Sequence, residues 1–312
     1  MDANATLDAL RLRLEACQDD KGGWGFQGAQ IATEPTCLAV LALLATSRLQ
    51  SDRGLRFIKE RQNSDGSWAA LADDDRSGCW VTSLALLALA SAREQSREAK
   101  NAMIWLLGDL PREAHWLWRW RFRTIDSNVS FNPAKFGWSW VPGTVSWVIP
   151  TAFAVIALKR ARSQSLDLAA RVDRRTMLAI EMLLDRACPE GGWNSGNGIA
   201  FGVPMAAHLD ATAIALLALR SDSNQRSVQL SLDWLVRRVA ACPSPYSLGW
   251  ATLALAAYQG INPEADRCLG RAVAALTRLI ERSADKSDTC TLAVCALAIE
   301  AAKGDNVFEV RP

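Results

Sequence analysis

An all-α closed ring, an (α/α)6 toroid of six helical hairpins, is the fold class this sequence predicts. Three observations predict it. One apolar phrase recurs along the 312 residues: TCLAVLAL from Thr36, TSLALLAL from Thr82, TAFAVIAL from Thr151 and TAIALLAL from Thr212, with weaker copies LGWATLAL from Leu248 and CTLAVCAL from Cys290. Each copy is preceded by a segment with one apolar and one polar face. Between the two, a short turn ending in Trp recurs.

The recurrent phrases are apolar nearly all round, the pattern of a helix buried on every side. They are spaced by 46, 69, 61, 36 and 42 residues, the scale of a helical-pair repeat. Their partners are amphipathic: Leu269, Val273, Leu276 and Ile280 recur at i, i+4, i+7 and i+11. The spacing predicts outer helices over 6–17, 51–63, 95–108, 171–187, 223–240 and 263–283. Inner helices are predicted over 35–46, 80–92, 148–161, 210–220, 246–259 and 288–302. An open solenoid of helix pairs needs polar end caps, and neither the first nor the last inner helix is polar enough to be one. Closure into a ring removes that requirement, so residues 1–312 are expected to form a single toroidal domain.

The turns have their own logic. Gln18 to Trp24 (QDDKGGW) and Gln62 to Trp68 (QNSDGSW) share one spacing, and Cys188–Trp193 keeps the Gly and Trp without the Gln. Gly supplies the positive φ that ends a helix, and Trp a large ring to pack at the junction. Trp24, Trp68 and Trp193 are therefore expected to be buried.

Composition narrows the function. Lys and Arg number 35 against 33 Asp and Glu, a net charge of +2 with no basic block, which argues against a nucleic-acid partner. No apolar run approaches the ~18 residues of a membrane span. Residues 1–10 have neither a basic nor an apolar signal-peptide region. Eight cysteines are scattered without a CxxC pair, as expected of reduced thiols. The expected location is cytoplasmic, or peripheral at a membrane surface.

The stretch from Arg53 to Trp68, RGLRFIKERQNSDGSW, resembles the QW repeat of squalene–hopene and oxidosqualene cyclases, and GGWGF at 22–26 resembles the GGF turn of prenyltransferase β subunits. With the helix phrases, the chain is similar to the squalene cyclase and protein prenyltransferase superfamily over most of its length. That resemblance implies a terpenoid cyclase-like or prenyltransferase-like protein acting on an isoprenoid inside the ring. The alternative, from a different class, is a non-catalytic toroid that binds an apolar ligand or a protein partner.

In this connectivity the inner helices all start on one face, so their N-termini ring one mouth. Two residues before each phrase stand Glu34, Trp80, Ile149, Asp210, Tyr246 and Asp288. Acids there also suit a helix start, where they meet free N–H groups. His208-Leu-Asp-Ala-Thr-Ala resembles the DxDDTA helix start of class II terpenoid cyclases, whose middle Asp protonates an alkene or epoxide. The resemblance implies Asp210 as the acid and His208 as its partner, although His and Ala replace the flanking acids. The same segment resembles the HLxPT start of farnesyltransferase-type subunits, but their zinc triad is missing. Glu34, Cys37, Asp288 and Cys290 meet across the ring closure and offer an alternative zinc set, while the expectation is no metal and no cofactor. Asp73-Asp74-Asp75-Arg76 is expected to be solvated surface.

Trp80, Trp147, Phe153, Tyr246 and Trp250 are expected to line the cavity, since aromatic faces stabilise cations; Glu34 and Asp288 are expected beside them. The third pair carries an insertion over 109–146 that is rich in Trp. Trp116, Trp118, Trp120 and Phe122 alternate, so an extended segment would place them on one face with Arg119, Arg121 and Arg123 opposite, and a hairpin is allowed there. The insertion is read as a cover packed on the ring, a lid over one mouth, or a contact to a membrane surface or a protein partner.

Overall fold

The computed structural model describes residues 2–27, 30–72, 77–92, 95–125 and 130–309. The Asp73–Arg76 run lies outside them. Six outer helices alternate with six inner ones. The outer set is α1 (Ala3–Ala16), α3 (Arg48–Glu60), α5 (Arg97–Gly108), α8 (Ala169–Asp185), α10 (Arg226–Val239) and α12 (Pro263–Ser283). The inner set is α2 (Thr33–Leu43), α4 (Val81–Ser91), α7 (Val148–Ala161), α9 (Leu209–Ala218), α11 (Pro245–Ala257) and α13 (Thr289–Ala301).

Burial follows sequence pattern. Every residue of α4 from Val81 to Ala90 is buried, and α13 is buried on all sides from Thr289 to Ala298. In α12 the buried positions Ala265, Cys268, Leu269, Ala272, Leu276 and Ile280 form one stripe. Asn262 caps that helix, accepting the N–H groups of Glu264 at 2.9 Å and Ala265 at 3.0 Å, with Pro263 in the first turn where its missing N–H is harmless. Each fully buried Leu or Ile on these faces contributes roughly 1.5–3 kcal/mol of transfer free energy.

The inner helices form a closed circuit: α2 packs on α4, α4 on α7, α7 on α9, α9 on α11, α11 on α13, and α13 back on α2. Outside them α1 packs on α12 and α13. Side chains seal the join. Arg11 pairs with Glu300, Arg13 with Asp285, Thr6 Oγ1 donates to Glu281 at 3.2 Å, and Thr289 Oγ1 donates to the Gly25 carbonyl at 2.8 Å.

The turns are built alike. Trp24, Trp68 and Trp193 are buried, and each indole N–H donates at 2.7 Å to a carbonyl near the end of the preceding outer helix: Leu14, Ile58 and Leu183. Their backbone N–H groups donate to Oγ1 of Thr36, Thr82 and Thr212 at 2.9, 3.0 and 2.9 Å. Where Gln is present it bridges repeats: Gln18 Nε2 donates to the Gly22 and Gln50 carbonyls, and Gln62 Nε2 to those of Gly66 and Glu98. Gly66 has φ 95°, and a Cβ there would stand 2.7 Å from the Asn101 carbonyl oxygen, so no other residue fits.

Two expectations fail. The alternating Trp/Arg run is a helix, α6 (Trp116–Thr124), not an extended segment. His115 accepts the Leu117 N–H at 3.3 Å at its start, and Leu and Arg are good helix formers. Helical spacing pairs Trp118 with Phe122, their rings 5.9 Å apart. The short hairpin among the described residues is also elsewhere. Strands β1 (Ile199–Ala200) and β2 (Val203–Pro204) pair antiparallel in the long turn before α9, around the left-handed Phe201 and Gly202.

Residues 136–138 of the insertion form a fourth Trp turn. Trp138 is buried, donates its indole N–H to the Leu106 carbonyl at 2.9 Å and its backbone N–H to Thr151 Oγ1 at 2.9 Å. The Arg175 guanidinium stacks 3.8 Å from the Trp138 ring centroid and donates to the carbonyls of Phe136 and Gly137.

Candidate active site at the mouth of the inner ring

The starts of α2, α11 and α13 meet at the ring closure and bring Glu34, Tyr246 and Asp288 together. Glu34 lies in the first turn of α2, partly buried. Desolvation, and then the nearby Asp288 carboxylate, push its pKa from 4.5 to about 7. Its side chain has no hydrogen-bond partner among the described residues, so nothing offsets those two effects. Burial, with the negative potential of Glu34 added, also raises the Tyr246 hydroxyl and the Cys37 and Cys290 thiols well above their ordinary range. These cysteines are inert neutral thiols.

The other two acids serve their helices. Asp288 is the N-cap of α13, accepting the Thr291 N–H at 2.7 Å. Asp210, in the first turn of α9, is partly buried and accepts the Ala211 N–H at 2.8 Å. It stands close enough to Tyr246 to act on that hydroxyl electrostatically. His208 is exposed at the N-cap of α9, its side chain making no capping bond, while its backbone N–H donates to the Trp193 carbonyl at 2.8 Å. Asp210 therefore borders the same mouth as Glu34. Among the described residues Glu34, Cys37, Asp288 and Cys290 do not converge into a metal-holding group.

Four of the five aromatic residues form one chain of ring contacts. Trp80 lies 5.8 Å from Phe153, Phe153 5.5 Å from Trp250, and Tyr246 6.2 Å from Trp250. Trp147 makes no ring contact with them among the described residues. Two rings missing from the sequence reading complete the cluster. Trp140 meets Trp80 edge to face at 5.1 Å, and Phe308 meets Trp250 at 5.0 Å and Phe153 at 6.4 Å. Phe308 comes from the segment after α13. Asn306 holds it there, donating Nδ2 to the Leu253 carbonyl at 3.0 Å and accepting the Phe308 N–H at 3.1 Å. The inner ring is thus packed behind the mouth, and the acid and Tyr246 stand at its open end.

Solved structures share this arrangement of helices. A type II terpene cyclase from Scytonema, MstE, in complex with geranylgeranyl dihydroxybenzoate superposes with a TM-score of 0.62 at 17% identity, over 96% of this chain and 97% of the other. The chain has the terpenoid cyclase-like toroid fold. An ent-copalyl diphosphate synthase from Streptomyces platensis matches at a TM-score of 0.59 and 17% identity, over 88% of this chain and 50% of that one. The same toroid also matches an α-amylase from Clostridium perfringens, at a TM-score of 0.67 and 11% identity over 95% and 97% of the two chains. No family model matches the sequence, and no curated protein does. Since the toroid carries unlike chemistries, activity has to be argued from its residues. No helix among the described residues is long and apolar enough to cross a membrane.

Proposed function

We propose that this toroid is a terpenoid cyclase-like enzyme that acts on an isoprenoid at the mouth of the inner ring, with Glu34 as the acid. The observation that carries the proposal is the Glu34 carboxyl, lifted to about 7 by burial and by Asp288 and lying beside a chain of aromatic rings. About half of such a group holds its proton at neutral pH, near the optimum for a general acid. Transfer of that proton to a terminal alkene or epoxide of the isoprenoid leaves the Glu34 carboxylate and a carbocation. Neighbouring double bonds supply the electron pairs that close rings, and loss of a proton from carbon ends the sequence, so no co-substrate is consumed. The ring of Tyr246, at the open end of the packed aromatic cluster, stabilises the cation beside Glu34. Asp210 flanks the site as a second carboxyl, accepting the Ala211 N–H. The terpene cyclase complexed with geranylgeranyl dihydroxybenzoate supports a substrate of that class.

The test is incubation of the protein with squalene, oxidosqualene and farnesyl- and geranylgeranyl-bearing compounds in D2O. The proposal expects a cyclic product that carries deuterium at the carbon first protonated. Tight binding of these compounds with no conversion of any would instead establish the non-catalytic toroid.

A further inference from the structure

We infer that the segment after α13 is a plug that holds the place of the isoprenoid chain, so that Phe308 has to leave the axis of the inner ring before a long chain can enter. The inference rests on the reading of the mouth as an isoprenoid site and adds what controls access to it. One turn of α11, about 6 Å, separates Tyr246 at the open end from Trp250. At the depth of Trp250 the axis is closed by Phe308, which is fully buried, its ring 5.0 Å from that of Trp250 and 6.4 Å from that of Phe153. A farnesyl chain is longer than one helical turn, so a chain entering at the mouth meets Phe308.

Of these three rings, Phe308 alone can move without a helix of the ring. Phe153 and Trp250 belong to α7 and α11, which are buried on nearly every side and locked into the closed circuit. Phe308 belongs to residues 302–309, which form no helix or strand. The chain reverses after α13 at Gly304, with φ 106° and open space where a Cβ would stand. It then enters the ring from the end where the inner helices finish. Asn306 Nδ2 donates to the Leu253 carbonyl, toward the end of α11, at 3.0 Å. Arg160, in the last turn of α7, donates to the carbonyls of Val307 and Glu309, and Arg220, just beyond α9, pairs with Glu309 at 3.9 Å. All of these are side-chain contacts to a loop, and segments held in that way open at lower free energy than packed helices. Phe308 offers the surrounding rings apolar surface with no hydrogen-bonding group, as an isoprene chain does, so one replaces the other while apolar burial is kept.

The experiment measures binding of geranylgeraniol to the full-length parent and to Asn306→Ala, beside hydrogen–deuterium exchange of residues 305–309. Asn306→Ala removes both the bond to the Leu253 carbonyl and the one from the Phe308 N–H. A ligand that binds the open form alone has its affinity reduced by the fraction that is open, so the variant should bind on the order of tenfold more tightly. In the parent, bound geranylgeraniol should speed exchange of the Phe308 and Glu309 amides, both of which donate to Asn306 while the plug is seated. The exchange measurement needs no variant, so it decides even where Asn306→Ala folds poorly. Unchanged or slower exchange at these amides with geranylgeraniol bound would overturn the plug, as would equal affinity of the two proteins or binding by neither. Tighter binding by Asn306→Ala without any cyclic product would uphold the plug and count against acid chemistry at Glu34. Product formation with unchanged exchange would do the reverse.

Discussion

The ring of Phe308 meets the ring of Trp250 edge to face, with centroids 5.0 Å apart, although their residues are separated by all of α12 and α13. A segment that follows the last helix thus fills the axis of the inner ring. Phe308→Ala would empty a fully buried aromatic site, so it should destabilise the fold by about 3–5 kcal/mol in urea unfolding. Phe308→Leu should lose less, because it keeps most of the volume. Equal stability of the alanine variant and the parent would mean that the tail does not pack there in solution.

The four Thr–Trp pairs make a separate prediction. Thr36, Thr82, Thr151 and Thr212 each accept the backbone N–H of a turn Trp. Thr→Val at any of them keeps the shape but leaves a buried N–H unsatisfied, a loss of about 1–3 kcal/mol. Each should lower the unfolding midpoint, and the effects at distant turns should add.

Those pairs also show how much of the fold was legible. The phrase beginning at each Thr gave the inner helices to within three residues at each end, because an element apolar on all sides has no rival reading. The fourth turn was hidden: Phe136-Gly-Trp138 lacks both the Gln and the Gly-Gly pair. The 13 residues from Trp138 to Thr151 could have revealed it beside the 12 from Trp24 to Thr36 and the 14 from Trp68 to Thr82. Helix α6 was misread because nine residues of alternating Trp and Arg satisfy a period of two as well as one of 3.6. Only docking of Trp118 and Phe122 on one side decides between them. The nearness of Glu34 and Cys290 followed from ring closure alone. The protonation of Glu34 did not, since it depends on burial and on where Asp288 points. Phe308 left no sequence signal beyond an aromatic residue in the short tail after α13.

Glu34 should leave a pH signature in stability. Its folded pKa of about 7 exceeds the ordinary 4.5, so the folded state holds a proton that the unfolded chain has released. The stability this gives is fully present below about 4.5 and is lost as pH rises to about 7. The loss is on the order of 3 kcal/mol across that window. Glu34→Gln stays neutral throughout. Relative to the parent, it should therefore gain stability between pH 4.5 and 7, measured by chemical unfolding in matched buffers. A constant difference between the two proteins across that range would show that Glu34 is ionised and solvated.

The most direct measurement compares product formation by Glu34→Gln and Asp210→Asn with the parent, on one geranylgeranyl-bearing substrate, beside thermal stability and substrate binding. Glu34→Gln keeps the shape and removes the proton, so the account predicts loss of turnover by about 100-fold or more, the scale of general acid catalysis, with binding and folding retained. Asp210→Asn keeps an oxygen that can accept the Ala211 N–H and should retain most turnover. Full activity in Glu34→Gln, with turnover lost in Asp210→Asn instead, would contradict the assignment.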